Sequence, residues 1–139
     1  MELFQLDDHG HLYLSPAIED WASLDAHNID AVIDLESAID TGIPTAPDHY
    51  LYIYYPIQDE KLPDLTKLHA VAKLGASLVM HKHRVLTHCC MGFNRSALMA
   101  GLILCELGHS GPQALERVRE RRPGALFNET FAEYLVSLK

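Results

Sequence analysis

Basic residues are scarce in this chain. Lysine and arginine number 11 against 19 aspartates and glutamates, a formal charge of −8. No basic block with interleaved aromatics occurs, which argues against a nucleic-acid-binding surface, since phosphate backbones are held by Lys and Arg. Any phosphate handled here must be gripped locally, against the overall field. Long apolar runs are also missing, so no membrane span is expected. The opening "MELFQLDDHG" carries acids instead of the basic region of a signal peptide, and neither end bears a lipidation motif. Cysteine is rare: three residues, an odd number, make no disulfide framework. A cytoplasmic protein of a reducing compartment is expected. Repeats and low-complexity segments are absent. What is present, 139 residues of which 48% are apolar and 22% charged, suits one domain over residues 1–139 with its own core.

The element pattern predicts an α/β fold: a central, mostly parallel twisted sheet flanked by helices, with an N-terminal hairpin. "LFQL" and "HLYLS" read as the hairpin strands, joined through "DDHG". A helix is expected over "SPAIEDWASLDAHN", with Ser15 as N-cap and Pro16 at its first position. "IDAVIDLES" and "YLYIYYPI" read as strands. "LTKLHAVAKLGASLVMHKH" has a helical apolar period, and "RVLTH" is a short strand after it. "SALMAGLILCELG" is an almost wholly apolar, buried helix stopped by Gly108. "SGPQALERVRERRPG" is amphipathic, and a last helix follows Asn128 as N-cap.

Between "RVLTH" and the apolar helix stands "HCCMGFNRS", residues 88–96. Ligands of such sheets sit at the carboxyl ends of strands. The loop from Cys89 to Arg95 is short enough for its backbone N–H groups to converge, and the next helix aims its positive end at the same point. That is an anion nest, with amides of Cys90, Met91, Gly92, Phe93 and Asn94 as phosphate ligands. A thiol there ionises easily. Gly92 suits a turn with φ > 0. The Arg95 fork fits two oxygens of a tetrahedral oxyanion. Ser96 can donate to the Cys89 sulfur and stabilise it as a leaving group. His88 is placed to tie loop carbonyls.

These residues resemble the signature loop His-Cys-x-x-Gly-x-x-Arg-Ser/Thr of the cysteine-dependent protein tyrosine phosphatase superfamily. "YPIQDE" is similar to the general-acid segment of its dual-specificity members, with Asp59 30 residues before Cys89. "RRPGALFNETFAEYL" resembles their Arg-Pro…Asn…Phe…Leu ending. The resemblance implies hydrolysis of phosphotyrosine in a phosphorylated protein or peptide, and possible action on phosphoserine and phosphothreonine. Cys89 attacks phosphorus to give a cysteinyl phosphate; Asp59 serves as acid and then base; Ser96 eases loss of the thiolate; Arg95 and the loop hold the oxygens. No cofactor or metal is implied.

Other readings stand beside these. A silent phosphate-binding module would keep the same loop. A thiol-based oxyanion reductase, such as an arsenate reductase, would need Cys90 or Cys105 to resolve Cys89. Cys90 otherwise reads as a small bystander, and Cys105 as core. A metal reading of His81, His83, His88 and the cysteines would leave Gly92, Arg95 and Ser96 unexplained. Glu60 and Asp64 rival Asp59, Asp64 as a helix cap and Glu60 as a solvated charge. Asn94 reads as loop filler, Phe93 as pocket rim, Asn128 as a cap that braces the site, and Arg121 and Arg122 as solvated helix-end charges.

Overall fold

The computed structural model describes residues 1–139. Ten elements follow in chain order: β1 (Phe4–Gln5), β2 (Leu12–Ser15), α1 (Trp21–Ala26), β3 (Ala31–Asp34), β4 (Leu51–Tyr54), α2 (Leu65–Met80), β5 (Val85–His88), α3 (Arg95–Glu106), α4 (Gly111–Arg121) and α5 (Glu129–Ser137). The strands form one sheet in the order β1-β2-β5-β3-β4. Only β1 runs antiparallel, through the expected hairpin that sets Phe4 opposite Leu14. The α/β architecture is as the pattern predicts.

Strands β2, β3 and β5 are buried along their whole length, because helices cover both faces. The larger core joins Leu12, Leu14, Ile33 and Val85 to Leu98, Met99, Leu102 and Ile103 of α3. On the opposite face Tyr13, Val32 and Leu86 pack with Leu24 of α1. The apolar α3 is thus the central helix, and Thr87 ties it to β5 by donating to the Ser96 carbonyl at 3.1 Å. Gly108 follows α3 with φ 111°, as a helix stop requires. Ser110 and Gln113 build a capping box on α4, and Asn128 caps α5. No helix is long and apolar enough to cross a membrane.

The strands β3 and β4 are shorter than "IDAVIDLES" and "YLYIYYPI", and the first helix starts later than expected. The first helix begins at Trp21 with Asp20 as N-cap, not at Pro16. Ser15 instead completes β2, in register with His88, and the Ala17 N–H donates to the Cys90 carbonyl at 3.0 Å. Segment 15–17 is kept out of the helix because it lies against the signature loop.

Helices α4 and α5 meet at Gly111, where a Cβ would fall 1.9 Å from the Leu135 carbonyl oxygen and 2.6 Å from that of Leu138. Backbone atoms cannot yield as a side chain can. Gly111→Ala is expected to cost about 1–3 kcal/mol of stability, the range for overpacking, read as a lower urea midpoint with an unchanged slope.

Candidate active site

β5 ends at His88 in the middle of the sheet and α3 starts at Arg95, so the connecting loop sits at the carboxyl edge with a buried helix behind it. Cys89 is at its floor, only 2% exposed. Its Sγ receives the Gly92 N–H at 3.3 Å and lies 3.2 Å from Ser96 Oγ. Gly92 has φ 73°, and a Cβ there would stand 2.8 Å from Pro16 N. Both the dihedral and the close approach demand glycine.

The carbonyls of residues 90–94 are all bonded away from the sulfur. Cys90 O accepts from Ala17, Phe93 O from the Leu126 N–H at 2.7 Å, and Asn94 O from Leu98. Gly92 O and Met91 O accept from Arg122 Nε and Nη2, each at 3.1 Å. A trans peptide sets its N–H opposite its C=O. Outward carbonyls on residues 90–93 therefore leave the amides of residues 91–94 facing inward, toward the cavity.

Arg95 opens α3 and donates to the Ile57 carbonyl at 3.4 Å, which joins its guanidinium to the segment bearing Asp59. Asp59 is held by two amides: Asn94 Nδ2 reaches Oδ2 at 3.0 Å and Asn128 Nδ2 reaches Oδ1 at 2.9 Å. Asn94 Oδ1 in turn accepts the Asn128 N–H at 3.0 Å. Asn94 is thus a buried bridge, not loop filler, because it spends its side chain on the acid loop and leaves α3 without a side-chain cap. Asn128 both caps α5 and bonds Asp59, joining two expected uses. Asp64 caps α2, and Glu60 is exposed. A pocket of about 190 Å³ gathers Asp59, Cys89, Met91, Phe93, Asn94, Arg95 and Phe127.

Several expectations change. His88 does not tie loop carbonyls. It is the register partner of Asp34, so its ring faces the β3–β4 connection and bonds Asp40 Oδ2 at 2.7 Å, with Asp34 Oδ1 at 3.5 Å. Tyr52 donates to Asp34 and accepts from the Asp40 N–H. The metal reading of the histidines fails by position: His81 bonds Ser77 and His83 pairs with Asp30, at the end of β5 remote from Cys89. Asp34, Glu36, Asp40 and His88 bring ligand-type atoms within 4.8 Å of one another. His88 is already bonded to Asp40, and Asp34 to Tyr52 and the Glu36 N–H, so the group serves as a brace.

Arg122 is not a free charge, since it bonds the loop; Arg121 pairs with Asp8. Cys90 is exposed and does not line the pocket. Cys105 is half-buried near the far end of α3. Ten residues of helix, about 15 Å, separate it from Arg95. Phe127 escaped sequence reading: it is 67% exposed beside Asn128, its ring 5.9 Å from Phe93. An aromatic next to the capping asparagine was its only signal.

The site thus sets a cysteine before the N-terminus of α3, with an arginine and a carboxylate in the same pocket. Residues 11–139 match the dual specificity phosphatase catalytic domain, and the chain belongs to that family. Among solved structures it is similar to Tk-PTP in its active form, with 26% identity over 96% of this chain and 92% of that one, TM-score 0.73. It shares its fold with human DUSP28, at 22% identity over 96% and 89%, TM-score 0.80. The same holds for a human tyrosine phosphatase-like serine/threonine/tyrosine-interacting protein, at 21% over 96% and 92%, TM-score 0.76. A search of curated proteins gives no match.

The brace behind Cys89 has a pH signature. Burial pushes the Asp34 carboxyl above its ordinary 3.8, against the lowering effect of the Tyr52 hydrogen bond. A raised folded-state value means that the folded chain favours the protonated form. This group's contribution to stability is therefore complete below 3.8 and falls as pH rises through the raised value. Asp34→Asn is expected to flatten that part of the profile. The check is the difference in melting temperature between variant and parent, which should grow in the variant's favour as pH rises above 3.8.

Proposed function

We propose that the chain hydrolyses phosphotyrosine in proteins, with phosphoserine and phosphothreonine as slower substrates, through a cysteinyl phosphate. The carrying observation is the Cys89 sulfur, in contact with Gly92 N–H and Ser96 Oγ, on the floor of a pocket that also holds Arg95 and Asp59. Inward amides and the α3 N-terminus stabilise the thiolate. Sγ attacks phosphorus in line as the P–O bond to the substrate breaks, and Asp59 gives its proton to the leaving oxygen. Asp59 then takes a proton from water, which attacks phosphorus; the S–P bond breaks, and Ser96 donates to the departing thiolate. Arg95 and the amides hold the equatorial oxygens throughout, so the work is mainly positioning and electrostatics. His88 steadies the strand end and Asn128 the acid.

Aromatic preference rests on the walls. Met91, Phe93 and Phe127 line the pocket mouth, and apolar surface of this kind favours a phenyl ring over a serine methylene. A silent phosphate-binding module is the second reading. In its favour, both Asp59 oxygens already accept amide hydrogen bonds. An oxyanion reductase is the weakest reading, given the distance of Cys105 along α3.

The test is turnover of an aryl phosphate in reductant and EDTA. Cys89→Ser is expected to abolish it. Asp59→Asn should slow poor leaving groups about 10²–10⁴-fold and good ones far less. Phosphopeptide binding without turnover by the parent would establish the module instead. Phe127→Ala should raise KM for a phosphotyrosine peptide several-fold and leave a phosphoserine peptide nearly unchanged; equal effects on both would remove the aromatic preference.

A further inference from the structure

The sequence "RRPG" sets up an arginine that faces the loop. Pro123 disfavours the helical region for the residue before it. α4 accordingly ends, and Arg122 adopts φ −126° and ψ 86° as its C-cap. Gly124 turns the chain with φ 87°, and the Phe93 ring lies where its Cβ would point, 3.3 Å away. The Arg122 guanidinium carbon lies 3.9 Å from the Phe93 ring centroid and 4.5 Å from that of Phe4 in β1. Two aromatic contacts fix the plane of the fork, and the fork takes two consecutive carbonyls, those of Met91 and Gly92.

We infer that Arg122 is a positioning residue of the anion cradle, one that holds the Met91 and Gly92 carbonyls outward and thereby aims the Gly92 and Phe93 N–H groups at the bound oxyanion. The Met91 carbonyl shares its peptide plane with the Gly92 N–H, and the Gly92 carbonyl shares its plane with the Phe93 N–H. Locking each oxygen fixes the opposite hydrogen. One of the two hydrogens already reaches Cys89 Sγ. Gly92 makes the lock necessary, because a glycine flanked by free carbonyls rotates readily. Arg122 itself does not line the pocket; it acts through Met91, Gly92 and Phe93.

This role rests on the cradle reading, so the experiment must report without turnover. In a Cys90→Ala, Cys105→Ala background, the rate of iodoacetate alkylation of Cys89 is followed against pH, with protection by inorganic phosphate measured in parallel. The variants are Arg122→Gln, Arg122→Lys and, as a control, Arg121→Ala, with circular dichroism to confirm the fold of each. The charged groups around the sulfur, Asp59, His88 and Arg95, are untouched in all of them. Loss of two aimed donors should move the alkylation midpoint up by about one pH unit and weaken phosphate protection about tenfold. Arg122→Lys, which keeps the charge but not the fork, should resemble Arg122→Gln, and Arg121→Ala should resemble the parent. Coincident profiles for Arg122→Gln and the parent overturn the proposal. A parent-like Arg122→Lys overturns it too, since charge alone would then suffice. Because alkylation needs no substrate, these results stand apart from whether the parent hydrolyses any phosphate ester.

Discussion

The site depends on the planarity of the peptide bond. Four successive carbonyls, from Cys90 to Phe93, are bonded to Ala17, Arg122 and Leu126, and rigid planes convert those outward bonds into inward donors. The protein bears a net charge of −8, so its bulk field repels a phosphate. A loop that is to hold a phosphate must overcome that field with donors that converge at close range. Everything else in the molecule can be read as scaffolding for that turn of chain. The fully buried strands β2, β3 and β5 fix one end of it, the apolar α3 fixes the other, and segment 15–17 supports it from below.

Around this loop the polar side chains form two separate systems. On one side Asn94, Asn128 and Arg95 connect the loop to the segment of Asp59 and Ile57. On the other, His88, Asp40, Asp34 and Tyr52 connect the end of β5 to the β3–β4 connection. The first reaches the surface, where Asp59 belongs to a segment with no helix or strand of its own. The second is deeply buried and serves to keep β5 in register. The Asp59 carboxylate thus lies in the pocket at the surface, and the Asp34 and Asp40 carboxylates lie behind it in the interior.

Much of this was legible in the amino-acid order because the relevant physics is local. Alternation of strand and helix patterns predicted the sheet, and Gly108 and Asn128 marked helix ends by their own chemistry. Cys89, Gly92, Arg95 and Ser96 sit within eight residues of one another, and a strand-loop-helix context suffices to bring them together. The misread residues all have distant partners. Arg122 looks like any helix-end cation until the loop 30 residues earlier is folded beneath it. Asn94 gains its meaning from Asp59 and Asn128, and Ser15 loses its expected cap because Ala17 is wanted by Cys90. Asp34 and Asp40 gave no signal, since their use is decided by strand register and by a tyrosine on a neighbouring strand.

The Phe4, Ala17, Arg122 and Leu126 contacts draw the loop's supports from stretches near both ends of the chain. Contacts so far apart in order close late in folding, after the entropy of large loops has been overcome. The setting of Cys89 therefore depends on contacts between distant parts of the chain. Its surroundings are complete only when stretches from both ends of the chain have closed on the loop.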